Sequence, residues 1–187
     1  AATVDDDDQL IEAKLTDGTE DIILVTRQGQ ACRFHESDVR PMGRSAAGVR
    51  GITLDKGDYV IGMVAVKREG SLLTICQKGY GKRSDIGDYR VTRRGGKGVI
   101  SMKLTDKTGE LVAVKEVVDS DELMIISAEG QVIRLSLKHV RVMGRATQGV
   151  RLINLDPGDQ VVDVARLAAK DDEENGENGN GEPSTEQ

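Results

Sequence analysis

Tyr89-Arg90-Val91-Thr92-Arg93-Arg94-Gly95-Gly96-Lys97-Gly98-Val99-Ile100 sets four cations and three glycines in one short loop that runs into an apolar pair. Two looser copies flank it. Val39-Arg40-Pro41-Met42-Gly43-Arg44 leads to Gly48-Val49, and Val140-Arg141-Val142-Met143-Gly144-Arg145 leads to Gly149-Val150. Arg40, Arg90 and Arg141 align, as do Arg44, Arg94 and Arg145, at spacings of 50 and then 51. A repeat of this period is the mark of a stacked array of small units, each too small to bury its own apolar face.

The rest of the chain falls into the same register. In the first unit Leu10–Leu15 alternates like a strand, and Ile22-Ile23-Leu24-Val25 is a β-branched run suited to burial on both faces. Gly29 turns the chain into Ala31-Cys32-Arg33-Phe34, and Gly48 to Leu54 reads as a fourth strand. The second unit repeats this with Val60-Ile61, Leu72–Ile75, Gly79, Arg83, Gly98-Val99 and Leu104. The third does so with Leu111-Val112, Leu123–Ile126, Gly130, Arg134, Gly149-Val150 and Leu155. Val161–Val164 restarts a first strand, read as a closing strand that pairs with an early blade. No apolar series of helical period exceeds one turn, and 22 glycines punctuate the elements.

The expected fold is all-β, with blades of about 50 residues as in a propeller. Residues 1–9 are expected to be an acidic linker, 10–167 three four-stranded blades plus one strand, and 168–187 a disordered acidic tail. Three blades cannot close a ring, so the chain is expected either to be part of a longer one, as its start on Ala1 rather than Met hints, or to have its open edges covered by a partner.

Charge is segregated. The whole chain carries −6, yet residues 10–167 hold 25 basic and 21 acidic residues, because Asp5–Asp8 and the tail concentrate the acid. Residues 78–103 carry eight basic residues against Asp85 and Asp88. Such asymmetry points to a polyanionic partner. No carboxylate lies within 89–103 to neutralise the loop, and its small residues would let phosphates approach backbone N–H groups. Aromatic residues are few (Phe34, Tyr59, Tyr80, Tyr89), which argues against stacking of single-stranded bases and for the phosphates of a bent duplex.

Catalysis has no foothold. His35 and His139 sit at inequivalent positions without metal-ligand spacing, and no nucleophile or nucleotide-binding motif is present. Tyr80 and Tyr89 read as packing residues. Cys32 and Cys76 lack paired spacing and read as free core thiols. No apolar run is long enough to span a membrane.

At Val39–Arg44 leading to Gly48–Ile52, at Gly79-Tyr80-Gly81-Lys82-Arg83, and at Thr92–Gly98 leading to Val99-Ile100-Ser101, the chain resembles the C-terminal domain of DNA gyrase A and of its topoisomerase IV relative. The resemblance covers residues 10–167 and implies part of a six-bladed β-pinwheel whose basic rim wraps duplex DNA. Arg93, Arg94, Gly95, Gly96, Lys97 and Gly98 match the family's first-blade Gln-Arg-Arg-Gly-Gly-Lys-Gly box, with Thr92 at the Gln position. The copy lies one repeat from the end, like a late-blade second box.

The resemblance further implies a bacterial, cytoplasmic, nucleoid-associated parent. That parent is an A2B2 heterotetramer, in which the rest of gyrase A joins gyrase B and uses ATP and Mg2+ for negative supercoiling. The stretch itself would hold no cofactor, metal or catalytic residue. The expected phosphate contacts are Arg40, Arg44, Arg50, Lys82, Arg83, Arg90, Arg93, Arg94, Lys97, Arg141, Arg145 and Arg151, with Gly95, Gly96 and Gly98 completing the loop. The alternatives are a propeller scaffold for an acidic protein and the equivalent domain of topoisomerase IV. The tail from Asp171 is expected either to solubilise or to compete with DNA for the rim; in the second case deleting 171–187 tightens binding at low salt.

Overall fold

The computed structural model describes residue 4 and residues 6–168; most of the acidic tail and part of the N-terminal linker lie outside the described residues. Eleven strands make three antiparallel sheets among the described residues. The first sheet has the order β3 (Val60–Val66), β1 (Asp21–Thr26), β2 (Gln30–His35), β6 (Val99–Ile100). The second runs β7 (Leu111–Val117), β4 (Ser71–Cys76), β5 (Tyr80–Asp85), β10 (Val150–Arg151). The third runs β11 (Val161–Leu167), β8 (Glu122–Ser127), β9 (Val132–Ser136). A one-turn 3-10 segment follows each central hairpin, at Glu36–Asp38, Ile86–Asp88 and Leu137–His139.

The sheets are all-β blades, but their boundaries do not coincide with the sequence repeat. The first two blades each take a hairpin from one unit and two flanking strands from the next, whereas the third has three strands among the described residues rather than the four expected, with β11 its one flanking strand. β1 and β2 pair with β3 and β6, and β4 and β5 pair with β7 and β10. This corrects two expected strands. Leu10–Leu15 and Gly48–Leu54 form none, because each corresponds to a flanking strand of a preceding hairpin, which the described residues do not include. Leu15 is 91% exposed. The stretch is held by two contacts to β3 and the residue after it: the Met63 N–H donates to Glu12 Oε2 at 2.9 Å, and Lys67 Nζ donates to the Leu15 carbonyl at 2.9 Å. The closing-strand reading of 161–164 is corrected too. β11 pairs with β8 as the inner strand of the third blade.

Period-2 side-chain alternation explains how the blades stack. In β4 every residue is buried. Leu72 and Cys76 point into a cluster with Ile23, Val25 and Val64 of the first blade. Leu73 and Ile75 point the other way, against Leu123 and Ile125 of the third. A strand buried on both faces needs a near-continuous apolar run, which Leu72, Leu73 and Ile75 supply around the buried Thr74. Inner strands β3, β7 and β11 pack side by side. The two-residue strands β6 and β10 lie at the opposite edge of their sheets, so each of these two basic loops ends on the outermost strand of a blade.

Candidate nucleic-acid interface

The second and third loops each begin at the 3-10 turn and end by adding a short strand to the outer edge of the preceding hairpin. Val99 pairs with Ala31, and Val150 with Gly81. Gly98 makes the approach possible. Its φ is +82°, and a Cβ there would lie 2.4 Å from the Ala31 carbonyl oxygen, a contact no larger residue tolerates. This glycine therefore serves the seating of the loop on β2.

The expected cations divide into three groups. Arg40, Arg90, Arg141, Arg44, Arg50 and Arg93 are exposed, and their side chains have no partner among the described residues. Lys97 forms an exposed pair with Asp55 at 3.0 Å. Arg151 lies over the Tyr80 ring at 5.3 Å and donates to its hydroxyl at 3.2 Å, so Tyr80 is a packing residue for an exposed cation. These groups can turn toward a polyanion at little cost, since an exposed ion pair is worth only about 0.2–1 kcal/mol.

Arg94 and Arg145 are half-buried and committed to neighbouring backbone. Arg94 Nε donates to the Asp38 carbonyl at 2.9 Å, and its Nη1 to the Arg50 carbonyl at 3.0 Å. Arg145 Nη1 makes the equivalent bond to the Ile100 carbonyl at 2.9 Å.

Lys82 and Arg83 correct the sequence reading. Both are buried, because a loop covers one and the next unit's turn covers the other. Lys82 Nζ donates to the carbonyls of Gly144, at 2.8 Å, and Arg145, supporting the third loop from beneath. Burial pushes its pKa down to about 8, with Asp88 partly opposing the shift. Arg83 donates to Ser71 Oγ at 2.8 Å and to the Leu137 carbonyl at 3.1 Å, and it pairs with Asp119. Arg33 does the same one unit earlier, reaching Asp21 at 2.7 Å and the Ile86 carbonyl at 2.8 Å. The hairpin arginines are thus tethers between blades. Arg134 occupies the same position in the third unit, where it meets only Glu122. The signal was in the alternation: residues 32, 82 and 133 are equivalent, and Cys32 and Ile133 mark that position as an inward one.

Between β2 and the central loop lies a cavity of about 260 Å3, lined by Cys32, Arg33, Arg90, Thr92, Arg93 and Lys97 together with Gly96 and Gly98. In the flanking loops Ala46 N–H and Thr147 N–H bond back to Gly43 and Gly144, each at 3.2 Å. The corresponding Gly96 N–H makes no such bond and remains available. The Gly95 N–H is already used, donating to Gly51 at 2.6 Å. Carboxylates absent from 89–103 arrive from the first unit. Asp55 sits on Lys97, and Asp38 Oδ2 accepts from the Arg94 N–H at 3.4 Å. Sequence reading missed both, since they lie 42 and 56 positions away.

No group of three His, Cys, Asp or Glu among the described residues could hold a metal ion. His35 Nδ1 lies 2.8 Å from Ser37 Oγ and accepts from the Ser37 N–H, capping the 3-10 turn. Cys32 and Cys76 are free and buried, and burial pushes the Cys76 thiol up to about 12. No helix among the described residues is long and apolar enough to cross a membrane.

The family model described as "DNA gyrase C-terminal domain, beta-propeller" matches residues 20–67, 70–117 and 121–168. The chain belongs to this family. Its three matches begin near β1, β4 and β8, so the family unit follows the hairpin frame. DNA gyrase A of Chlamydia trachomatis is 44% identical over 170 residues, covering 90% of this chain and 20% of that protein. Its Staphylococcus aureus counterpart is 42% identical over 172 residues, covering 91% and 19%. The chain therefore spans about a fifth of the curated relatives it matches. Among solved structures, the C-terminal domain of DNA topoisomerase IV aligns with a TM-score of 0.85 at 25% identity, covering 90% of this chain and 53% of that one. A DNA gyrase A C-terminal domain aligns at 0.75 and 30% identity, covering 80% and 51%. This gyrase-family chain thus shares blade architecture with both enzymes' C-terminal domains.

Proposed function

We propose that the chain binds duplex DNA through its phosphates, without sequence preference, and holds a bent arm of duplex along the outer edges of its blades. The observation that carries the reading is the recurrence of exposed, unpartnered cations at one topological position. Arg40, Arg90 and Arg141 open the three loops, with Arg93 and Arg50 beside them. Phosphate contacts fix position and supply salt-dependent affinity, whereas base readout would need side chains reaching a groove. Evenly repeated cations on successive blades suit a curved path.

In this reading the chain is part of DNA gyrase A, as the 41–44% identity to proteins of that name supports. Its parent would work with gyrase B as an A2B2 type IIA topoisomerase in the bacterial cytoplasm, using ATP and Mg2+ for negative supercoiling. The catalytic groups lie in other parts of the parent, and this stretch presents DNA to them.

The test is binding of an arbitrary short duplex across a salt series, with a variant carrying Ala at Arg90, Arg93 and Lys97. Each lost phosphate contact lowers the slope of log affinity on log salt by about 0.9, so three should remove roughly 2.7. A folded protein that ignores duplex DNA at low salt, while retaining an acidic polypeptide, would replace this reading with a protein scaffold.

A further inference from the structure

In the second and third loops the second arginine does not behave as the first does. Arg90 and Arg141 are exposed and free of partners among the described residues, but Arg94 and Arg145 each reach back to a backbone carbonyl of the loop one unit earlier. The acceptors, Arg50 and Ile100, are themselves equivalent positions in the repeat. Around Arg94 the junction is dense. Its Nε also meets the Asp38 carbonyl at 2.9 Å, Gly95 N–H donates to Gly51 at 2.6 Å, and Thr53 N–H donates to Gly96 at 2.9 Å. Thr53 Oγ1 adds a bond to the Gly95 carbonyl at 2.7 Å. A guanidinium sets its donors in a rigid planar fork, here spreading Nε and Nη1 over the Asp38 and Arg50 carbonyls.

We propose that Arg94 and Arg145 are positioning residues that clasp consecutive loops, fixing the spacing at which the free cations meet successive phosphates and hence the bend imposed on the duplex. The inference rests on the duplex-binding reading above. It separates two jobs within the adjacent pair Arg93-Arg94. Arg93 neutralises phosphate; Arg94 sets where that phosphate must lie. Lys82 assists in the third loop by holding the carbonyls of Gly144 and Arg145 from the core side.

The experiment compares the full chain with its Arg94→Ala, Arg94→Lys and Arg93→Ala forms. The readouts are amide exchange at Gly95 and Thr53 without DNA, the salt slope of duplex affinity, and the end-to-end distance of a doubly labelled duplex. For Arg94→Ala we expect exchange at both amides to rise about tenfold or more, as a charge-assisted bond is lost. The salt slope should stay within half of one phosphate's share, about 0.45, while the duplex ends move apart. Arg94→Lys should accelerate exchange less, because it keeps the charge but lacks the spread Nε and Nη1 donors that reach the Asp38 and Arg50 carbonyls from one rigid plane. Arg93→Ala should lower the slope by about 0.9 and leave the amides unchanged.

Unchanged exchange in Arg94→Ala overturns the clasp, and a slope loss of about 0.9 alongside it makes Arg94 a phosphate ligand. If the unaltered chain does not bind duplex, faster exchange still upholds the clasp while the DNA reading falls. Should Arg94→Ala not fold, Arg145→Ala tests the same contact at Ile100, by exchange at Val99, Ile100 and the 144–151 loop.

Discussion

Lys82 offers a stability test whose sign is fixed by its burial. Its side chain is fully buried beneath the third loop, and its pKa falls from the ordinary 10.5 to about 8. At pH 7 the group is protonated in both folded and unfolded chains, so folding bears the full cost of burying an ammonium. As pH rises through 8 the folded chain releases the proton, while the unfolded chain keeps it until near 10.5. The unfolded state then binds more protons, and stability rises with pH. With those two values the gain between pH 7 and pH 9.5 is about 2 kcal/mol. For a chain of this size that corresponds to roughly 4–8 °C in Tm.

The assay is urea or thermal unfolding at both pH values for the unaltered chain and for Lys82→Met, which keeps the apolar stem and removes the titration. Taking the difference between the two proteins cancels groups that titrate in this range without interacting with Lys82. The unaltered chain should gain about 2 kcal/mol relative to Lys82→Met on going from pH 7 to 9.5. A relative change below about 0.5 kcal/mol, or one of opposite sign, would refute the assignment of Lys82 as a buried, strained ammonium.

Arg83→Ala should destabilise the fold by about 1–3 kcal/mol in chemical unfolding, since it leaves the buried Leu137 carbonyl and Ser71 hydroxyl without their donor while its ion-pair partner Asp119 is exposed. Arg134→Ala, at the equivalent but exposed position, should stay within about 0.5 kcal/mol. Gly98→Ala should lower stability by at least about 1–3 kcal/mol in the same assay, because its Cβ meets the Ala31 carbonyl and its φ is positive. Cys76 should resist a thiol reagent at pH 8 in the native chain and react once the chain is unfolded in urea, since its thiol stays protonated and buried.

The strands and their burial were legible because each hairpin spells out its alternation. Leu72–Ile75 reads as doubly buried and is so. Pairing was less legible, since nothing local tells Val60–Val66 to join the hairpin before it rather than the one after. That choice depends on contacts across units, which is why Leu10–Leu15 and Gly48–Leu54 read as strands in isolation. The loops are found through recurrence of Arg40, Arg90 and Arg141, a signal that survives any error in pairing. Lys82 and Arg83 read as phosphate contacts when charge is weighed and phase is not. The two residues occupy consecutive strand positions that both happen to be covered, one by a loop and one by the next unit's turn. Asp38 and Asp55 are invisible beside Arg94 and Lys97 because their proximity exists only after blades stack.

The sharing of strands between neighbouring units also bears on how such chains can change length over evolutionary time. A blade excised along its own sheet boundaries would need three separate cuts, since its strands come from segments such as 21–35, 60–66 and 99–100. Loss or duplication of one contiguous repeat, begun at any phase, instead leaves every hairpin followed by a donor of flanking strands. Genetic drift in repeat number is therefore structurally silent at the junction, whereas a break at half a period would leave one hairpin with only one of its flanking strands.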